Sequence, residues 1–273
     1  MFYALLVLAG ILGGILAGLI GIGGGIVFVL ILPMAFAYLG LPKAEMAAYI
    51  IANSLFATTA SSMAANVQLW RMGKIKLRPI LYISVTAIVV SMIVIRTVVM
   101  QDWYSEEVFN VMLFVLLVLM LWRTLGFREN TDNLRKGKEL TIVEAGWVGT
   151  ITGLVQPLSG LGGGIVMIPI LNTVIRMPLK VANGLSLGVV GITSLVNTIG
   201  LMGQTPITPI DHTHTGFVVW PVAIALSAGV MLGSPLGVKW GQTMPQQYVR
   251  WIFVAFMSIT LIKKGIEIFQ AWF

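Results

Sequence analysis

Two short glycine runs are notable for what their backbone can do. Gly21, Gly23, Gly24 and Gly25 recur 139 residues later as Gly160, Gly162, Gly163 and Gly164. Gly21-Ile-Gly-Gly-Gly-Ile-Val27 agrees with Gly160-Leu-Gly-Gly-Gly-Ile-Val166 at six of seven positions. A helix interior loses about 1 kcal/mol for each glycine, so four in five residues predict a break. Lipid cannot satisfy the amide N–H groups a break sets free, so they must face a cavity. A half-helix restarting at Ile26 or Ile165 would turn the positive end of its dipole to the same point. That makes an anion site without a basic side chain. Close helix packing is the other use of small residues in a membrane, and the sequence leaves both open.

Polar residues gather in two apolar stretches. One holds Asn53, Ser54, Thr58, Thr59, Ser61, Ser62 and Asn66; the other holds Asn183, Ser186, Thr193, Ser194, Asn197 and Thr198. Thr58 falls one helical turn from Ser54, on the same face. Gln156 and Ser159 precede the second glycine run, with Pro157 between them to loosen the helix. Asn53, Ser54, Gln156, Ser159 and Ser186 are the side chains expected to line a polar substrate site beside the two breaks. Hydrogen bonding between helices is the alternative for each of them.

Other chemistries lack their residues. With no cysteine, disulfides and thiolate metal sites are excluded. His212 and His214 share one loop with no third ligand nearby, so no metal site is expected. Walker A is absent, and Ile26 and Ile165 stand where G-x-G-x-x-G requires glycine. No Ser-His-Asp or paired-acid arrangement is legible, so neither a catalytic residue nor a cofactor is expected. Glu45, Glu144, Asp211 and Arg96 fall near the ends of apolar stretches, leaving no central carboxylate for a proton relay.

The elements that must position these groups follow from composition. Of 273 residues, 58% are hydrophobic and 10% charged, where a water-soluble domain carries about a quarter charged. No charged residue occurs in 1–42, 145–175, 181–210 or 212–238. Each run exceeds the roughly 20 residues that span a bilayer as a helix. The chain is therefore expected to be an all-α polytopic membrane protein. Met1-Phe2-Tyr3 lacks a basic n-region, so the first stretch is expected to be retained in the membrane.

Apolar stretches fall at about 3–20, 25–39, 46–66, 79–99 and 108–122, then at 141–159, 163–175, 181–202, 217–238 and 248–262. Between the two sets lies the only long hydrophilic run, 123–140. The expected organisation is a first transmembrane repeat (1–122), a cytoplasmic linker (123–140) and a second repeat (141–273), each repeat with about five helical elements. Within each repeat the first two elements are interrupted at the glycine run, the second being short enough to be re-entrant.

Thirteen of the 17 basic residues lie in 71–78, 123–138, 176–180 and at Lys239 and Arg250. Loop 100–107 carries Asp102, Glu106 and Glu107, and 203–216 carries Asp211 and both histidines. Placing the basic loops in the cytoplasm explains the net charge of +7 without a nucleic-acid partner. It also puts 67–78 inside and its counterpart 203–216 outside, so the repeats are expected to be inverted, as in many secondary transporters. The expected partners are the lipid bilayer and a small anion. Gly14-x-x-x-Gly18 and Gly184-x-x-x-Gly188 permit close contacts within or between chains, leaving the oligomeric state open.

At these motifs the sequence resembles the sulfite exporter TauE/SafE family of bacterial membrane proteins. Gly21-Ile-Gly-Gly-Gly, Gly160-Leu-Gly-Gly-Gly-Ile-Val-Met-Ile-Pro169, Ala182-Asn-Gly-Leu-Ser-Leu187 and Gly233-Ser-Pro-Leu-Gly237 carry the resemblance, which extends over essentially the whole chain. The first glycine run departs from the second in its proline, which falls at Pro33. The resemblance implies a multi-pass transporter of the bacterial inner membrane that exports sulfite, sulfoacetate or a related organosulfur anion. Export suits the physics, because with the interior negative each negative charge leaving gains about 2.3 kcal/mol per 100 mV. An importer of a small sulfur anion, or a membrane partner that transports nothing, are the alternatives.

Overall fold

Apolar segments with no water to bond must satisfy their backbone internally, and helices do so. The computed structural model describes residues 2–101, 103–126 and 140–272, and ten α-helices account for most of them. In chain order they are α1 (Phe2–Ile20), α2 (Gly25–Tyr38), α3 (Met46–Arg71), α4 (Leu77–Val94) and α5 (Glu106–Gly126), then α6 (Ile142–Ser159), α7 (Gly164–Pro169), α8 (Leu179–Met202), α9 (Trp220–Thr243) and α10 (Gln246–Trp272). α4 and α7 run on into wider π turns, Ile95–Val99 and Ile170–Val174. A small antiparallel hairpin, β1 (His214–Thr215) with β2 (Val218–Val219), precedes α9. Most of the expected linker, residues 127–139, lies outside the described residues, as does Asp102.

Two glycine seams build the flanks. On α1, Gly10 abuts Leu226 and Gly229 of α9, Gly14 abuts Val230 and Ser234, and Gly18 abuts Ser234 and Val238, so the two helices run parallel. A Cβ on Gly229 would fall 2.1 Å from the Val7 carbonyl oxygen. α4 and α6 repeat the arrangement, with Gly149 against Ile83 and Thr86, and Gly153 against Ala87 and Val90. Small residues let the backbones approach, which drives helix association where lipid removes the hydrophobic effect.

Between the flanks, α3 and α8 run antiparallel. Leu69 meets Gly184, Ser62 meets Gly191, and Asn66 Nδ2 donates to the Leu187 carbonyl at 3.0 Å. At one end of the bundle Lys74 and Lys180 both donate to Gln242, at 2.8 and 2.7 Å. At the other end the Glu45 carboxylate accepts from the backbone N–H of Ile207 and Thr208, at 2.9 and 3.0 Å. The basic loops 71–78, 176–180 and 239–243 thus share one end, and 39–45 shares the opposite end with 203–212.

The outer faces are apolar. Leu5, Leu8 and Leu12 of α1, Val85, Val89 and Ile93 of α4, and Ile224, Met231 and Leu232 of α9 are exposed at helical spacing. Trp70, Trp103, Trp240 and Trp251 are exposed at or near helix ends, where aromatic rings suit the membrane–water boundary. Among the described residues, four helical spans are long and apolar enough to cross a membrane, 2–20, 77–99, 179–202 and 220–243. This is an all-α polytopic membrane protein.

One boundary differs from the sequence expectation in a way that matters. The last apolar stretch ends near 262, but α10 continues to Trp272 and carries Lys263, Lys264 and Glu267 into the packed bundle. Lys264 is fully buried, a position the sequence expectation for the ionisable residues did not cover. The helix continues because its charges pair along one face, at i,i+3 and i,i+4.

Candidate functional site

The glycine runs are helix breaks. α1 ends at Ile20 and α2 begins at Gly25; α6 ends at Ser159 and α7 begins at Gly164. Gly21, Gly23 and Gly24 have φ of +90°, +89° and +83°, and Gly160, Gly162 and Gly163 have +64°, +83° and +74°. Only glycine adopts this left-handed backbone without strain. Gly25 and Gly164 are needed for another reason. A Cβ on Gly25 would lie 2.5 Å from Leu161 Cα, and one on Gly164 would lie 2.7 Å from the Gly21 carbonyl oxygen. The two breaks are therefore in direct backbone contact.

They meet halfway along α3 and α8. Thr58 Cγ2 would stand 2.6 Å from a Cβ on Gly23 and 2.9 Å from one on Gly162; Val190 Cγ1 would stand 3.0 and 3.2 Å from the same two positions. Two serines fix the register reciprocally. Ser54 of α3 donates to the Gly160 carbonyl at 2.6 Å, and Ser186 of α8 donates to the Gly21 carbonyl at 2.8 Å. Each serine thus holds the first glycine of the break in the other half of the chain.

The sequence candidates divide into three groups here. All eight glycines, Ser54 and Ser186 come together at the contact. Ser159 and Gln156 line its second arm: Ser159 Oγ donates to the Val155 carbonyl at 2.8 Å and accepts from Leu161 N–H at 3.2 Å, and Gln156 Nε2 donates to Ser194 Oγ at 2.8 Å. Asn53 is engaged elsewhere. Its Nδ2 donates to the carbonyls of Tyr49 and Phe217, and its Oδ1 accepts from Val219 N–H, so it anchors the 217–219 segment. Tyr104, just before α5, donates to the Leu158 carbonyl at 2.6 Å; burial pushes its phenol above the ordinary tyrosine value, so it remains a donor.

Unsatisfied polar atoms surround the contact. Thr58 Oγ1, Ser62 Oγ, Gln156 Oε1 and Asn183 Oδ1 are buried and without a hydrogen-bond partner among the described residues. Leaving such an atom unpaired costs about 1–3 kcal/mol, so their concentration beside two helix breaks calls for a function. Among the described residues, no hydrogen bond engages the N–H of Gly23, Gly24, Gly162 or Gly163. Successive amides in left-handed turns form a concavity suited to anions. The breaks are closed against each other and against Phe256, leaving a space of about 10 Å³ beside Gly24.

Sequence reasoning put Thr58 and Ser194 among the polar residues but did not single them out. The helical spacing Ser54, Thr58, Ser62 was the available signal, since one face carries all three. Nothing in the sequence pointed to the cavity of about 410 Å³ at the basic end of the bundle. Lys74, Lys76, Arg78, Tyr82, Val181 and Leu185 are among its lining, with no carboxylate among the described residues that line it. Leu185, in the lining of this basic vestibule, stands one residue before Ser186 on α8.

Two relatives match the chain over nearly its full length. A probable membrane transporter protein of Methanocaldococcus jannaschii is 28% identical over 260 residues, covering 93% of this chain and 92% of its own. A probable membrane transporter protein of Haemophilus influenzae is 25% identical over 269 residues, covering 97% and 99%. A sulfite exporter TauE/SafE family protein of Arabidopsis thaliana is 27% identical over 139 residues, covering 50% of this chain and 29% of its own. No solved structure matches the chain. The profile of the sulfite exporter TauE/SafE family, in contrast, aligns with residues 6–264, a span that takes in both glycine breaks and both serines that hold them, and the chain belongs to that family.

Proposed function

We propose that the protein exports a small sulfur-containing anion, of the sulfite or sulfoacetate kind, across a bacterial inner membrane through the paired glycine breaks. The observation that carries this reading is the contact itself. Two helix breaks meet at mid-height, hold each other through Ser54 and Ser186, and keep free amides and unpaired hydroxyls at one point. An oxyanion offers acceptor oxygens to those donors and lies at the positive end of α2.

In this proposal the halves 1–122 and 141–273 form an inverted repeat. Shifts of 139 residues for the breaks and 132 for Ser54 and Ser186 relate the Ser54–Gly160 contact to the Ser186–Gly21 contact. The re-entrant arms then enter from opposite faces, and parting one or the other opens the site to one side. The basic vestibule gathers anions on the cytoplasmic face, and the membrane potential drives them outward. The family name and the transporter names of the full-length relatives agree with this reading.

The test is efflux from proteoliposomes loaded with sulfite or sulfoacetate under a potential negative inside. Saturable efflux that rises with the potential is expected. Gly163→Val should stop it while the protein still inserts, because valine cannot hold φ near +74°. Efflux unchanged by Gly163→Val would sink the role of the breaks.

A further inference from the structure

The polar residues of α3 and α8 form two rows, and each row starts at a glycine break. The shift of 132 residues that turns Ser54 into Ser186 also turns Ser62 into Ser194 and Asn66 into Thr198. Positions four apart share a helix face, so each row runs along one side of its helix. On α3, Ser62 Oγ would stand 3.7 Å from a Cβ on Gly23. Asn66 follows one turn on, about 8 Å before the helix finishes at Arg71 on the basic end. For α8, Gln156 of α6 makes the link to the other break. Its Oε1 would stand 3.5 Å from a Cβ on Gly163, and its Nε2 donates to Ser194 Oγ. Asn197 and Thr198 follow one turn on, about 6–8 Å before α8 finishes at Met202 on the opposite end.

These groups are too poorly paired to serve only as ties between helices. Ser62, Gln156, Ser194, Asn197 and Thr198 are at most 2% exposed. Yet Ser62 Oγ, Asn66 Oδ1, Gln156 Oε1, Asn197 Nδ2 and Thr198 Oγ1 lack a hydrogen-bond partner among the described residues. Each of the three amides binds a neighbouring helix with one end only. Asn66 takes the Leu187 carbonyl, Gln156 takes Ser194, and Asn197 takes Ser91 of α4 at 2.7 Å. The far end stays unpaired whichever way each amide is turned. Lipid offers these atoms nothing to bond, so a polar guest must. Neither row carries a charge, since no ionisable residue occurs in 46–70 or 181–210. Dipoles alone hold an anion loosely enough to let it go, as conduction requires. We infer that the two rows are the two halves of the anion's path, the inner half along α3 from the cytoplasm to the breaks and the outer half along α8 from the breaks to the outside; the inference deepens the exporter reading and rests on it. Thr58 and Val190, related by the same shift, each touch both breaks and separate the halves in the closed contact. An anion leaving the breaks exchanges their amides for Gln156 and Ser194, then for Asn197 and Thr198.

The chain has no cysteine, so single cysteines in the full-length protein report access directly. The probe is 2-sulfonatoethyl methanethiosulfonate, an impermeant anion that reacts with water-exposed thiols. Applied to intact cells it should modify Ser194→Cys and Thr198→Cys. Applied to inside-out vesicles it should modify Ser62→Cys and Asn66→Cys. The two serine variants exchange one oxygen for sulfur, so they carry the test if an end variant fails to fold. Ile199→Cys, beside Thr198 but 59% exposed on the outer face of α8, should stay unmodified from either side. Sulfoacetate at about ten times its dissociation constant should slow modification of the serine variants about tenfold, as one occupied site requires. A row modified from the wrong face, or from neither, or no faster than Ile199→Cys, would overturn the inference. Sided modification that sulfoacetate does not slow overturns it too if the protein exports sulfoacetate. If the protein exports none, that result strikes the exporter reading and leaves the two polar half-paths standing.

Discussion

At the residue scale, satisfied and unsatisfied polar groups separate structural from functional side chains. Asn53 spends both of its amide atoms on neighbouring backbone and so reads as an anchor. Thr58 buries a hydroxyl with no partner among the described residues, and both breaks touch its side chain. Thr58→Val keeps the methyl that packs on Gly23 and Gly162 and replaces only the unpaired hydroxyl, with a second methyl. Removing an unsatisfied buried hydroxyl should leave stability unchanged or raise it by about 1 kcal/mol. Anion affinity should fall at least several-fold if that hydroxyl bonds the substrate. Ser186→Ala offers the contrast, since it frees the Gly21 carbonyl and should cost about 1 kcal/mol of stability as well as affinity. Thermal unfolding and anion titration on the same purified samples read both quantities. Equal losses of stability in the two variants would reduce Thr58 to a packing residue.

At the element scale, glycine serves two ends in this chain, and the structure tells them apart. Positive φ at the breaks concerns backbone conformation; the α1–α9 seam concerns distance. Gly229→Val would drive a side chain into the Val7 carbonyl, 2.1 Å from the Cβ position, and should destabilise the protein by about 3 kcal/mol or more. Gly200→Ala, with open space around it on α8, should be neutral. Unfolding temperatures in detergent check the pair, and a tolerated Gly229→Val would mean that the helices can part.

The helices, the breaks and most of the polar residues were legible in sequence because each rests on local signals: apolar length, glycine density and helical spacing. The reciprocal hold of Ser54 and Ser186 was not legible, because it joins residues more than 100 positions apart. The buried Lys264 was hidden by the fall in hydropathy after residue 262. A charged stretch at the end of an apolar run resembles a solvated tail until its partners on α5 and α2 are seen.

At the scale of the whole molecule, basic residues gather at one end of the bundle, and the proposed orientation in the membrane rests on that asymmetry. Lys74 belongs to the basic end and Thr208 to the end bearing Glu45, and both are exposed. Cysteines placed at these two positions should label from opposite sides of intact cells; labelling from one side would contradict the inverted arrangement. The vestibule allows a finer test of sidedness. Lys74, Lys76 and Arg78 surround its mouth, and exposed charges raise local anion concentration by long-range attraction that salt screens within about 8–10 Å. Replacing all three with glutamine should raise the half-saturating anion concentration on that face by about tenfold at low ionic strength, and by much less at high salt. Maximal efflux should change little, because the breaks and their serines are untouched. The same substitutions should have almost no effect on anion entry from the opposite face, because all three cations lie at the basic end. Equal weakening from both faces would mean that the three cations stabilise the closed bundle and do not collect substrate.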